Sequence, residues 1–225
     1  MKKRKDIIWL YVASDYLASI VAWYFLFLFR KIVIERNSIH FAIPFHDNNF
    51  YVGVLLVTSF WLFFHYITGT YVDLYKKSRL QELAKTLVVT FLGSIAIFFL
   101  LLLDDHIRRY SDYYLTFLVL IVLQFSFTFI GRLLILTKVK RNISSGKIGF
   151  DTLLIGSSGK ANELYEEMKA KERSYGFHFI GYLELNGNSQ NTLTNELKEL
   201  GKLSDLEKVI GENRKIEEVI IAIES

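Results

Sequence analysis

The chain has no cysteine, one proline and two methionines among its 225 residues. Without cysteine there can be no disulfide framework and no thiolate metal site, and the sequence carries no sign of redox compartment. The single proline, Pro44, falls in a polar loop. Charge is missing from two long stretches. Between Ile7 and Phe29 the only side chain charged at neutral pH is Asp15, and between Leu87 and Leu103 there is none. No long run of like charge occurs, so the net charge of +4 does not point to nucleic acid as a partner. The motifs H-E-x-x-H and G-x-S-x-G and the Walker loop are absent too, which removes the metalloprotease, nucleophile-elbow and P-loop chemistries. No small-residue cleavage site follows the first apolar run, which is too long for a signal-peptide core.

What is present is apolar residue gathered into runs. Hydrophobic residues make up 52% of the chain and the mean hydropathy is +0.27. An apolar run of about 20 residues crosses a hydrocarbon core of roughly 30 Å. Residues 7–29, 50–67, 87–103 and 113–136 therefore predict four membrane spans. Trp9, Tyr11 and Tyr24 are expected as interfacial aromatics. Basic residues are distributed unevenly around the spans. The start of the chain, the connector of residues 69–86 and the stretch after the fourth span together hold twelve lysines and arginines, against five on the opposite side. The positive-inside rule then places both termini in the cytoplasm, with the bilayer surface as the partner of the basic segments. Within the connector, Ser78 and Gln81 fit a capping box, and Leu80, Leu83, Ala84 and Leu87 fall on one face of a short interfacial helix that turns into the third span.

The composition changes after residue 148. Residues 150–155 read as an apolar strand, 160–173 as a helix with Leu164, Tyr165 and Met168 on one side, and 177–185 as a second strand. Residues 203–210 read as a helix capped by Ser204, and 217–223 as a third strand. That order implies a parallel sheet with right-handed crossovers. The last strand is apolar on both faces and calls for helices above and below it. The fold class is thus a four-helix transmembrane bundle, residues 1–148, followed by an incomplete α/β Rossmann-like unit, residues 149–225. A fragment, a truncated product or a completing partner would each account for the unfinished sheet.

Two constellations could carry chemistry. The turn Gly156-Ser157-Ser158-Gly159, with Lys160, lies between a predicted strand and a predicted helix, where backbone amides can cradle a phosphate. Against the G-x-G-x-x-G fingerprint it has Ser158 and Ala161 in the second and third glycine positions. The reading is either a nucleotide or nucleotide-sugar loop or a structural turn, with Glu184 as a solvated strand end. The second constellation is Asp15 with Arg132. Asp15 lies about 12 Å along its helix from Ile7, and Arg132 is at comparable depth, six residues before Lys138. A carboxylate there costs several kcal/mol unless paired, so the two are expected to clamp the first span to the fourth, the alternative being joint binding of a lipid phosphate. Gln124 is expected to make an interhelical hydrogen bond, and His65 and Tyr66 to be interfacial. His40, His46 and Asp47 in the loop between the first and second spans are too few and too scattered for a metal site.

The G-x-Y-x-x-L-Y-K-x-S-R segment (Gly69, Tyr71, Leu74, Tyr75, Lys76, Ser78, Arg79), the four spans and the terminal EEVIIAI together resemble the N-terminal half of bacterial polyprenyl glycosylphosphotransferases. Those enzymes move a sugar-1-phosphate from a nucleotide sugar to a polyprenyl phosphate at the start of exopolysaccharide, capsule or O-antigen assembly. Their catalytic domain, with a re-entrant helix and an Asp-Glu pair, lies further along than these residues. The resemblance therefore implies no catalytic residue in this chain, and it implies nucleotide sugar, polyprenyl phosphate and magnesium only for that further domain. It implies a multi-pass protein of the bacterial inner membrane, and a homo-oligomer stays open. The arrangement is also similar to membrane-anchored nucleotide-sugar dehydratases and epimerases, and a stand-alone membrane scaffold is the third reading. The orientation can be checked directly: protease added to intact cells should leave residues 162–225 uncut until the membrane is permeabilised. Cleavage without permeabilisation would contradict it.

Overall fold

The computed structural model describes residues 2–35, 43–72, 74–75, 77–102, 110–170, 176–185, 196–212 and 216–222. Several expectations fall outside them: His40, Lys76, the last residue of the predicted third span at 103, the end of the predicted helix at 171–173, and Ile223. The chain divides into two compact units, Met1–Lys138 and Val139–Ser225. The division lies ten residues before the composition change at 148 because the last turns of the fourth helix group with the sheet unit.

Four helices make up the first unit: α1 (Lys2–Phe29), α2 (Asn48–Ile67), α3 (Arg79–Ile97) and α4 (Tyr110–Ser144). All four are long and apolar enough to cross a membrane. Each extends beyond its apolar run. α1 carries on through a π-helical turn at Arg30–Ile34, and α3 through another at Phe98–Leu102. Caps fix the starts of the two middle helices. The Asp47 carboxylate accepts the Asn49 amide at 2.9 Å ahead of α2. Ahead of α3, the Ser78 hydroxyl accepts the Gln81 amide at 3.1 Å and the Gln81 side chain accepts the Ser78 amide at 2.9 Å, the reciprocal pattern of a capping box. From that cap α3 is one continuous helix rather than a short segment that turns. Leu80, Leu83, Ala84 and Leu87 do share a face, and it points outward.

The packing of the bundle is uneven. Trp23, Leu26, Phe27, Phe50, Val57, Trp61, Ile97 and Leu120 form an apolar core, where the Trp23 indole also donates to the Phe50 carbonyl at 3.1 Å. Two glycines let the helices approach. A β-carbon at Gly53 would sit 2.1 Å from the Trp23 ring, and one at Gly93 would sit 2.5 Å from the Trp61 ring. Small residues at such crossings leave room for the neighbouring helix to come close, here with a tryptophan ring against the glycine. The outward faces are apolar as well, with Leu55, Phe63, Leu80 and Leu134 each more than 60% exposed.

The second unit is a parallel sheet of β1 (Phe150–Ile155), β2 (Phe177–Glu184), β3 (Glu199–Lys202) and β4 (Glu218–Ile221), in the order β3-β2-β1-β4. Helix α5 (Gly159–Ala170) follows β1, and α6 (Leu206–Glu212) follows β3 after a 3-10 turn at Leu203–Asp205. β3 was not expected; its sequence ELGK has no apolar run, and it lies at an edge. Ser204 is not the cap of the last helix. Instead the Asp205 carboxylate accepts the Lys202 amide at 3.1 Å. One face of the sheet packs Leu154 and Tyr182 with Ala161 and Tyr165 of α5, and the other packs Leu153, Ile155 and Leu183 with Val209 of α6. On β4, Val219 and Ile221 are left exposed.

Alanine at Gly53 or at Gly93 should destabilise the protein by about 1–3 kcal/mol, the usual result of overpacking, as read by thermal unfolding in detergent. An unchanged midpoint for both would mean that these helices do not meet as described.

Candidate functional site

Asp15 and Arg132 meet in the interior of the first unit, both with no exposed surface. The Arg132 guanidinium faces the carboxylate with two bonds, Nε to Oδ1 at 2.9 Å and Nη2 to Oδ2 at 2.6 Å. A planar fork matched to a carboxylate in this way is the strongest form of ion pair. The pair joins α1 to α4.

The pair is the centre of a larger network. Arg132 Nη1 donates to Thr86 Oγ1 at 3.1 Å and to Glu82 Oε1 at 3.4 Å, which brings in α3. The other Glu82 oxygen lies 3.2 Å from the Lys77 ammonium. Lys77 in turn donates to the Thr70 carbonyl, and Lys85 donates to the Gly69 carbonyl at 2.8 Å. From the same segment the Tyr71 hydroxyl donates to Asp15 Oδ2 at 2.9 Å. Two cations, Arg132 and Lys77, therefore face two anions, Asp15 and Glu82, and the connector between α2 and α3 is tied to three helices. Burial, reinforced by the Asp15 charge, holds the Tyr71 phenol well above its ordinary range, so it stays protonated and stays a donor. Burial also draws the Lys77 ammonium below its usual range, with Glu82 acting in the opposite direction.

With its donors directed at two carboxylates and a hydroxyl, Arg132 offers little to a lipid phosphate, which favours the clamp over joint anion binding. Further along the bundle the Gln124 amide of α4 donates to the Ser19 hydroxyl of α1 at 3.2 Å and to Thr128 Oγ1 at 3.1 Å, an interhelical bond of the expected kind. Two residues read as interfacial are instead inside. Tyr11 and His65 have no exposed surface, while Tyr66, next to His65, is 75% exposed. The His65 ring lies between Trp61 and Tyr71, with centroids at 5.6 Å and 6.4 Å. Lys77 and Lys85, counted among the basic residues of a membrane face, turn inward to the network.

Glu82 and Thr86 were not singled out from the sequence, and Tyr71 entered only as part of the connector pattern. A signal for them existed. Glu82, Thr86, Thr90 and Ser94 recur every four residues along α3, and all four are buried. Of the loop residues, Asp47 caps α2 and is paired with Lys31 at 3.1 Å, and the described residues hold no cluster of three metal-ligating side chains.

In the second unit the turn from Gly156 to Lys160 lies at the carboxyl end of β1, where the chain leaves toward β2 on one side and β4 pairs on the other. In an open parallel sheet this is where ligands bind. Gly156 is required there: its φ is +131°, and a β-carbon would lie 2.2 Å from the Ala222 carbonyl oxygen. Ser157 is buried and Ser158 half-buried, while Gly159 and Lys160 are exposed at the start of α5. Ala161, at the third fingerprint position, packs in the core beneath. Glu184, expected as a solvated strand end, is buried.

Removing one partner of the central pair leaves uncompensated charge in the interior, which costs about 3–5 kcal/mol. Arg132→Gln should therefore unfold far more readily than the wild type in a detergent melt. Replacing Asp15 by Asn in that background should recover much of the loss, because Glu82 is still matched by Lys77. If the double variant were no more stable than Arg132→Gln alone, charge compensation would not be what holds the cluster.

A scan of protein-family models and a search of curated proteins return no match to this chain, so the reading of its sites rests on their geometry.

Proposed function

We propose that this chain is the membrane-anchoring and assembly portion of a polyprenyl-phosphate sugar-1-phosphate transferase of exopolysaccharide, capsule or O-antigen synthesis. In this reading it lies in the bacterial inner membrane with both termini cytoplasmic, and the phosphoryl transfer belongs to a further domain. The observation that carries the reading is where the connector goes. The segment that bears the resemblance supplies Gly69, Thr70, Tyr71, Lys77 and the Ser78 cap, and these residues close on the buried Arg132 cluster. A sequence pattern with a structural role of this kind is what an anchor needs. It fixes the end of the bundle from which a cytoplasmic module is held.

The second unit fits the same reading as an incomplete Rossmann-like module. Its support is the strand order β3-β2-β1-β4 with a glycine turn at the reversal, the arrangement of the first half of a doubly wound nucleotide-binding fold. That observation also favours a second reading, the N-terminal part of a membrane-anchored nucleotide-sugar dehydratase or epimerase, with the Gly156, Ser157, Ser158, Gly159 and Lys160 turn on the nucleotide sugar. A lone turn with serine in the second glycine position supports this less than the connector supports the first.

The proposal is tested by fusion. Residues 1–225 joined to the catalytic domain of an initiating sugar transferase should restore polymer synthesis in cells whose own enzyme lacks its N-terminal half. The purified chain alone, given radiolabelled nucleotide sugar and polyprenyl phosphate, should form no product. Product from the chain alone, or a fusion no better than an unrelated four-span anchor, would overturn the reading.

A further inference from the structure

Serine and threonine in a helix commonly satisfy their hydroxyls by donating to the carbonyl one turn back. This bundle follows the habit at several places. Ser19 donates to the Asp15 carbonyl at 2.8 Å, Thr68 to the Phe64 carbonyl at 2.9 Å, and Thr116 to the Asp112 carbonyl at 2.7 Å. Thr58, Thr90 and Ser94 depart from it. Each is at least 97% buried, and each hydroxyl lacks a hydrogen-bond partner among the described protein groups. The same holds for the Tyr11 hydroxyl, the Trp61 indole nitrogen, both ring nitrogens of His65 and the Gln124 carbonyl oxygen. A buried polar group left unsatisfied costs about 1–3 kcal/mol, so this many orphans in one interior calls for a ligand.

The chemistry of the orphans selects that ligand. The Trp61 nitrogen can only donate, the Gln124 oxygen can only accept, neutral His65 offers one of each, and the hydroxyls do either. A cation would satisfy only the acceptors, and an anion only the donors. Water serves both. The spacing fits as well. Thr86, Thr90 and Ser94 climb α3 in steps of about 6 Å, roughly the span of two hydrogen bonds through one water oxygen. Thr86 itself belongs to the Arg132 network, and three residues beyond Ser94 the helix enters the apolar cluster at Ile97.

We propose that the interior of the bundle holds a file of ordered water molecules. It runs from the charge network past His65, Trp61 and Thr90 to Ser94 and Gln124, and the apolar core closes it at the far end. The buried ion network is thus hydrated from within, while the other half of the bundle is dry.

Two tryptophans make the test internal to one sample. Both belong to the apolar cluster, but the Trp61 indole nitrogen has no hydrogen-bond partner among the described protein groups, whereas the Trp23 indole is bonded to the Phe50 carbonyl. Millisecond X-ray radiolysis of the chain in detergent generates hydroxyl radicals from bound water in place, and mass spectrometry reads the modified side chains. Trp61 should be modified several-fold faster than Trp23, although it is no less buried. Thr90→Val supplies the second readout. Removing a hydroxyl that binds water should lower the melting midpoint by about 2 °C or more, whereas removing a dry, unsatisfied hydroxyl should raise it. Equal modification of the two tryptophans, or a raised midpoint for Thr90→Val, would overturn the proposal.

Discussion

A guanidinium that stays charged inside an apolar bundle must be neutralised where it stands, and that constraint orders the first unit. Arg132 reaches Asp15 on one side and Glu82 and Thr86 on the other, so three helices have to present the right residue at the same level. The charge that Glu82 brings is matched by Lys77, which belongs to the connector. Lys77 cannot face Glu82 unless the connector folds back over the bundle, and Tyr71 and Lys85 hold it there through Asp15 and the Gly69 carbonyl. Ion pairs of this kind contribute little net stability over apolar packing, but breaking one side of them is costly. Their effect is to exclude other arrangements of the four helices.

The two halves of the bundle differ in how they are held. The half containing Trp23, Phe27, Phe50 and Leu120 is apolar and closely packed, with Gly53 letting the Trp23 ring fill a crossing. The half around Arg132 is polar and uses directional bonds. Apolar packing is non-directional and tolerates repacking, whereas a forked ion pair fixes rotation about each helix axis. Together they specify one register. The outward apolar faces of all four helices are the surfaces that a bilayer would cover.

Much of this was legible from the residues. Four apolar runs gave four helices because length and hydropathy decide that question almost alone. The pairing of Asp15 with Arg132 was inferred from depth along each helix, and the structure brings the two together. The Ser78 and Gln81 cap followed from local chemistry. Other features were hidden by their context. Lys77 and Lys85 look like ordinary basic flanking residues, and nothing local reveals that a glutamate and two carbonyls lie within reach. Tyr11 and His65 resemble interfacial residues, but the face of the helix decides their burial, and that depends on partners distant in sequence. β3 was missed because ELGK is too short and too polar to announce a strand, its place being set by pairing with β2. Glu184 was misjudged for a related reason, since a strand end is buried or exposed according to what crosses over it.

The central claim is that the buried charge network, rather than local turn propensity, holds the connector in place. Hydrogen–deuterium exchange over residues 69–77 tests it most directly, with wild type compared with an Arg132→Gln, Asp15→Asn, Glu82→Gln variant in which the three helix-borne charges of the network are removed together. Loss of protection in the connector, with protection retained in α2 and in the apolar half of the bundle, is the expected result. A connector equally protected in both proteins would contradict the account.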